Sequence, residues 1–313
     1  MASAITYLTL GGPEVLTFGD IDTPAPGPGD VAVRIEAAGV NPLDAKLRAG
    51  TRPSPPITSP RRIGFDGAGV VTALGADVDG LRVGDAVAIA GATGLYATDV
   101  VVAASTLTPR PPQVSAAQAA ALGIPSGTAY QTLRSMAVGP SDVVLVHAGS
   151  GAVGQFLIQF AVLWGATVIA TTSERRAERV RALGATPVAY GEGLADRVRA
   201  AAPQGITVAI DAAGTDEALR TSIELVDDRG RIATLVRGGD AAGLGIRAFS
   251  GGSPEPLTAQ QLALRAEAMP VSLQLIAAGA LDVELGPTFA LAEAAEAHRA
   301  LADGVDGKIV LVP

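Results

Sequence analysis

From Val143 to Ser173 the chain carries no Asp, Glu, Lys or Arg, and the run is broken by Gly149-x-Gly151-x-x-Gly154. A charge-free run of this length is long enough to cross a bilayer. Its internal pattern argues against that. Gln155, Gln159 and Gly165 join the three glycines, and the stretch divides into an apolar strand (Val143–His147), a turn, a helix (Val153–Trp164) and a second strand (Thr167–Thr171). The expectation is a buried β-α-β unit and no membrane span. The glycine spacing has a chemical logic. Gly149 permits a tight turn, Gly151 lets a pyrophosphate approach the backbone, and Gly154 allows the helix to pack closely on the strand. The helix N-terminus adds free N–H groups and the positive end of its dipole. A dinucleotide site is the reading this context favours, with a merely structural glycine turn as the alternative.

The tip of the second strand selects the cofactor. NAD sites place an acid there to bond the ribose hydroxyls. Here the chain reads Thr171-Thr172-Ser173-Glu174-Arg175-Arg176. Small hydroxyls followed by two arginines suit the 2′-phosphate of NADP, giving room, donors and positive charge. Glu174 is the awkward residue. As a first-turn residue it serves the helix dipole. The alternative for both arginines is a solvated helix face.

The flanking sequence reads differently. The first third is β-rich: Ala2–Thr9, Val31–Ala37, Val70–Leu74, Asp85–Ala90 and Val100–Ala103 are short strands, and Pro24–Gly29 is a rigid loop. Spacing of this kind suggests a compact barrel-like domain. Near Ser115 the pattern changes to small-residue helices (Ala116–Leu122, Gly127–Leu133) and then to repeated strand and helix, through Glu174–Leu183, Val188–Tyr190, Leu194–Ala202, Val208–Asp211, Glu217–Val226 and Arg231–Leu235. Repeated β then α with apolar strands means a parallel sheet covered on both faces. After Ser253-Pro254-Glu255-Pro256 a helix over 260–278, interrupted around Pro270, leads to strand-like Val283–Leu285 and Thr288–Ala290. A helix (Leu291–Leu301) and a terminal strand (Lys308–Val312) follow. These segments leave the βα rhythm, and a return to the N-terminal domain is open to them.

Composition narrows the chemistry. The 313 residues, 48% hydrophobic and 17% charged, supply a large core. A net charge of −8 disfavours a nucleic-acid partner. Cysteine is absent and only two histidines are present, His147 and His298, so a metal-free mechanism is the default. The N-terminus lacks a basic n-region and a long apolar stretch, which points weakly to the cytoplasm.

Several short motifs, in order, resemble one family. They are Ala38-Gly-Val-Asn41-Pro-Leu-Asp44 with Arg48-Ala-Gly50, Gly64-Phe-Asp66-Gly67-Ala-Gly69-Val70, Val83-Gly-Asp85-Ala-Val87, Tyr96-Ala97 and Pro125-Ser-Gly-Thr128-Ala-Tyr130. The dinucleotide motif follows, then Ala182-Leu-Gly-Ala185, Asp211-Ala-Ala-Gly214, Gly230-Arg-Ile232 and Gly307-Lys308-Ile-Val-Leu311. Over essentially its whole length the chain resembles the zinc-free, zeta-crystallin-like quinone oxidoreductases of the medium-chain dehydrogenase/reductase superfamily. The resemblance implies an α/β protein: a GroES-like β-rich catalytic domain built from both chain ends, over 1–118 and 254–313, and a Rossmann domain with a doubly wound parallel sheet over 119–253. Zinc-dependent relatives carry His-Glu where this chain has Phe65-Asp66, and Cys in the segment of Asn41. No metal site is expected.

Carried over residue by residue, the resemblance implies that Asn41 faces the nicotinamide and the substrate, as the catalytic residue. Thr128 contacts the nicotinamide side. Ser150, Gly151, Ala152 and Val153 hold the pyrophosphate. Ser173 and Arg176 hold the 2′-phosphate, with Tyr190 near the adenosine phosphate. The implied partner is a small-molecule electron acceptor, and a homodimer is the expected assembly. The chain departs from the family pattern at Thr51-Arg52, at Leu235–Gly239 and over residues 91–99, where the substrate pocket is expected, so quinone itself is in question.

Plainer readings stand beside these. Asn41 before Pro42 is also a turn former. Asp44 reads as a helix N-cap or an arginine partner, and Asp66 and Asp85 as residues of glycine-flanked turns. Asp211 is either a loop-ordering acceptor or a cofactor contact. His147 reads as packed and His298 as half-buried. Two functions follow: an NADPH-dependent reductase acting on a quinone, enone or enoyl-type acceptor, or a non-catalytic NADPH-binding sensor or structural protein.

Overall fold

The computed structural model describes residues 2–249 and 255–313. The expected boundary at 253/254, with Ser253-Pro254, lies outside them. The chain divides into two compact units, Met1–Ile124 with Met269–Pro313, and Pro125–Ala268.

The first unit contains β1 (Ala2–Tyr7), β2 (Thr17–Ile21), β3 (Asp30–Gly39), α1 (Pro42–Ala49), β4 (Arg61–Arg62), β5 (Asp66–Leu74), β6 (Ala86–Ala90), β7 (Asp99–Ala103), β8 (Leu107–Pro109) and α2 (Ala116–Ala120). Helix α3 (Gly123–Ser135) then leads into the second unit. That unit carries β9 (Val143–His147), α4 (Ala152–Leu163), β10 (Thr167–Thr172), α5 (Ala177–Ala182), β11 (Thr186–Ala189), α6 (Leu194–Ala201), β12 (Val208–Asp211), α7 (Asp216–Leu225), β13 (Ile232–Thr234), α8 (Gly238–Leu244) and β14 (Arg247–Ala248). Helix α9 (Ala259–Ala277) leads back, and β15 (Leu285–Ala290), α10 (Ala294–Asp303) and β16 (Lys308–Val312) complete the first unit.

In the second unit the strands run parallel in the order β11-β10-β9-β12-β13-β14. Strand β9 is central. The chain winds outward from it through β10 and β11, then crosses to β12 on its other side. That reversal makes a topological switch point between β9 and β12, the place where doubly wound sheets bind ligands. β9 is buried at all five positions, which explains its unbroken apolar run. Residues 143–173 resolve into β9, α4 and β10. No helix among the described residues is long and apolar enough to cross a membrane.

In the first unit the sheet runs β15-β16-β3-β5-β6-β8, with β7 also on β3. Antiparallel pairing of Val310 with Gly39 and Leu311 with Ala38 returns the chain end to the N-terminal strands. Ile5, Tyr7, Ile63, Tyr96, Leu291, Ile309 and Leu311 share one core cluster there, so both ends of the chain are needed to close it.

Three expectations need correction. Helix α9 continues through Pro270. An interior proline removes one hydrogen bond at a cost of about 3 kcal/mol, and burial of Ala268, Met269, Leu273 and Ile276 around it offsets that loss. The two strand-like pieces near 285 form one strand, β15, with an irregularity between Leu285 and Thr288. The helix expected from Glu174 starts as a 3₁₀ turn over Glu174–Arg176 before α5.

Candidate active site

All six parallel strands end at one edge of their sheet, and most of the residues expected to bind the cofactor lie there. After β9 the chain turns through Ala148, Gly149 and Ser150 into α4, whose N-cap is Gly151. Gly151 and Ala152 are exposed and Val153 partly so. The first-turn N–H groups of α4 have no intrahelical acceptor, so this end is a ready anion cradle. The glycines are required by space. A Cβ on Gly154 would lie 2.1 Å from the Ala148 carbonyl oxygen and one on Gly149 2.6 Å from Cβ of Ala170, whereas one on Gly151 would meet only the Ala148 oxygen, at 3.3 Å. Gly149 and Gly154 are filled by protein. Beside Gly151 the space is open but for that oxygen, the room that a dinucleotide pyrophosphate needs at this position of the motif.

The neighbouring tip of β10 is tied to this loop. Thr172 Oγ1 donates to Ser150 Oγ at 2.9 Å, and Gln155 Nε2 donates to the Ser150 carbonyl at 2.9 Å. Since the Ser150 hydroxyl accepts from Thr172, its own hydrogen is left for another acceptor. Ser173 and Arg176 follow, both partly buried, while Glu174 and Arg175 are exposed. Tyr190, just past the next strand β11, is 61% exposed. Arg197 orders that segment by donating to the carbonyls of Ala189, Gly191 and Glu192. On the other side of β9, Asp211 Oδ1 accepts the N–H groups of Ala213 and Gly214 and Oδ2 the Thr234 hydroxyl, the loop-ordering alternative of the two open for it. Thr128 lies on α3, buried, and its hydroxyl accepts from Arg265 of α9 at 2.8 Å.

Asn41 belongs to the first unit. It is the N-cap of α1 and only 1% exposed. Its amide is oriented from both sides. The Lys308 ammonium donates to Oδ1, and Nδ2 donates to Asp66 Oδ2 at 2.9 Å and more weakly to the Gly39 carbonyl at 3.4 Å. Asp66 Oδ1 accepts the Ile124 N–H at 2.9 Å. Asp66 is thus the first residue of β5 and a buried hub, where a turn was expected. Asp44 sits at the third position of α1, where a cap or arginine partner was expected. Its carboxyl accepts the Asn41 N–H at 2.8 Å and the Tyr96 hydroxyl at 3.0 Å. Burial, reinforced by the negative charge of Asp66, pushes its pKa up to about 7, against these two bonds. Burial also lowers the Lys308 pKa, opposed by Asp66 and Asp44. His298 is fully buried, where half-burial was expected; it meets the Tyr96 ring edge-on at 5.9 Å, and burial holds its pKa down to about 4.

Lys308 was missed as a site residue in the sequence. The available signal was a lone cation opening the apolar strand Lys-Ile-Val-Leu-Val. Among the described residues no group of three or more His, Cys, Asp or Glu is placed to hold a metal.

Comparison with known proteins agrees with this architecture. The family described as alcohol dehydrogenase GroES-like domain matches residues 27–112, and that described as zinc-binding dehydrogenase matches residues 152–264. A quinone oxidoreductase of Pseudomonas aeruginosa is 34% identical over 100% of both chains. The chain belongs to the quinone oxidoreductase branch of the medium-chain dehydrogenase/reductase superfamily. Another relative of this quinone oxidoreductase-branch protein is a 2-haloacrylate reductase of Burkholderia, 32% identical over 100% of this chain and 99% of the other. Among solved structures, the Escherichia coli quinone oxidoreductase complexed with NADPH matches with a TM-score of 0.85 at 26% identity, over 99% of this chain and 100% of that one.

Proposed function

We propose that this chain is an NADPH-dependent oxidoreductase that passes a hydride to a quinone, enone or enoyl-type acceptor without a metal. The observation that carries the reading is the edge at β9 and β10. A glycine cradle opens toward a ligand at Gly151, and the adjacent strand tip offers Ser173 and Arg176 in place of an acid. Ser150, Gly151, Ala152 and Val153 hold the pyrophosphate. Ser173 and Arg176 hold the 2′-phosphate, with Tyr190 beside the adenosine phosphate and Thr128 on the nicotinamide side. The Escherichia coli quinone oxidoreductase complexed with NADPH supports NADPH as the cofactor. The 2-haloacrylate reductase supports an activated alkene among the acceptors.

Bound NADPH supplies the hydride. The protein's own part is orientation and charge. Hydride arrival leaves negative charge on the acceptor oxygen, and a preorganised donor stabilises it as it builds. Asn41 is the proposed donor. Lys308 on its oxygen polarises the amide, and Asp66 fixes one of its hydrogens. The other, held only by the long contact to Gly39, is the one an acceptor oxygen takes over. Metal independence is supported by the donor inventory: no cysteine, and two histidines already engaged inside the protein.

The deciding experiment follows NADPH oxidation by absorbance with a panel of quinones, enones and enoyl thioesters, beside direct titration of NADPH and NADH. Tighter NADPH binding and turnover of at least one acceptor are expected. Binding without turnover would favour the non-catalytic alternative, and equal affinity for both cofactors would remove the NADP assignment.

A further inference from the structure

Beneath the glycine-rich loop lies a directed chain of hydrogen bonds. The Ser222 hydroxyl on α7 donates to the Ala218 carbonyl at 2.8 Å. Having spent its hydrogen there, it accepts from His147 Nε2, 3.1 Å away. A neutral imidazole with hydrogen on Nε2 has a bare Nδ1. Facing Nδ1 at 3.4 Å is the Thr171 hydroxyl at the end of β10. That hydroxyl accepts the Ala148 N–H at 3.1 Å, and the Thr171 carbonyl accepts the Gly149 N–H at 2.8 Å. His147, Thr171 and Ser222 are all buried. Every link runs one way, from the loop amide to the helix carbonyl.

The loop needs this support. Ala148 has φ +59°, the left-handed region that disfavours a side-chain-bearing residue. Its carbonyl oxygen is the atom against which Gly154 packs. Strain held at a ligand-facing turn persists only where surrounding bonds over-determine it.

We infer that His147 is a positioning residue for the NADPH pyrophosphate, working as the Nε2–H tautomer through Thr171 to hold the Ala148–Gly149 turn. The inference rests on the proposed cofactor site. Of the charged groups around the ring, Asp211 on adjacent β12 and Glu217 on α7 favour the imidazolium. Burial opposes them and wins, holding the His147 pKa down to about 4. The ring therefore stays neutral through the neutral range, and the Ser222 hydroxyl, already donating to Ala218, selects the Nε2–H tautomer that gives the relay one direction.

The test combines spectroscopy with binding. Long-range ¹⁵N–¹H correlation on the full chain has only two histidines to resolve. It is expected to show His147 as Nε2–H with an unprotonated Nδ1, unchanged from about pH 6 to 8. An Nδ1–H tautomer or an imidazolium would overturn the relay. By NADPH fluorescence titration, Thr171→Val is expected to weaken binding about tenfold. Thr171→Ser, which keeps the hydroxyl, should restore it. Parent-like binding by Thr171→Val, or failure of Thr171→Ser to rescue, would overturn the inference alone. Should Thr171→Val not fold, Ser222→Ala, remote from the ligand, must weaken NADPH binding and disturb the His147 signal, or the inference fails. Absence of NADPH binding by the parent protein would overturn the functional reading and with it the role of the relay.

Discussion

The same substitution at two glycines of one motif should have opposite consequences. A Cβ on Gly154 would stand 2.1 Å from the Ala148 carbonyl oxygen, 2.8 Å from Gly149 Cα and 2.9 Å from the Ala148 carbonyl carbon. All three are backbone atoms and none can swing aside. A carbon–oxygen contact needs about 3.3 Å, so α4 must withdraw from the loop by about 1 Å. Forced overpacking costs about 1–3 kcal/mol, and a clash with fixed backbone belongs at the upper end. At roughly 2–4 °C per kcal/mol for a chain of this class, Gly154→Ala should lower Tm by 6–12 °C. Gly151 is different. Its φ of −74° suits any residue, and an added Cβ meets only one atom, at 3.3 Å. Gly151→Ala should melt with the parent, yet its methyl occupies the exposed space proposed for the pyrophosphate. NADPH affinity should fall at least tenfold, about 1.4 kcal/mol or more. Thermal melts and NADPH titration of the two variants side by side check this. Parent-like melting of Gly154→Ala would refute the packing argument, and parent-like NADPH affinity of Gly151→Ala would refute the ligand assignment.

Arg176→Ala should weaken NADPH binding by about 1.5–3 kcal/mol, the worth of a charge-assisted bond, and leave NADH binding nearly unchanged; an equal loss for both cofactors in titrations would contradict the 2′-phosphate role. Asn41→Ala should lower kcat by a factor on the order of 10² and spare NADPH affinity; because Asn41 is buried against Asp66 and Lys308 it should also lower Tm, and a fall in Tm with parent-level kcat would make it a structural cap. The raised pKa of Asp44 gives a stabilising contribution present below the ordinary value of 3.8 and lost as pH rises through about 7. Ionising it costs the folded state on the order of 4 kcal/mol, so denaturant unfolding should show Asp44→Asn gaining on the parent from about pH 4 to 8, and a constant difference would contradict this. Activity should survive exhaustive chelation; stoichiometric zinc whose removal abolishes turnover would overturn the metal-free mechanism.

Local pattern was enough for the segment proposed to bind the cofactor through its backbone. β9, α4 and β10 are contiguous, their apolar runs and glycines lie within about thirty residues, and the expected elements differ from the observed ones by a residue at most. Strand periodicity also located β3, β12 and β16. What the sequence left open depends on partners far apart in the chain. Lys308 meets Asn41 across 267 positions and Asp66 across 242, and His147 meets Ser222 across 75. No periodicity carries such pairings, because only the closing of a sheet by the chain end, or the crossing from β9 to β12, brings them within hydrogen-bond reach. The glycine-rich segment of α8 and the two-residue strands β4 and β14 were illegible for the same reason: their own propensities are weak, and packing against neighbours decides them. The sequence by itself determined the glycine-rich turn between β9 and α4 on which the proposed dinucleotide site rests, since glycine spacing is a property of the backbone. Which tautomer His147 holds, and which way the Asn41 amide points, was decided only in the folded protein, where burial removes water as a competing partner and leaves each polar group a single arrangement that satisfies it.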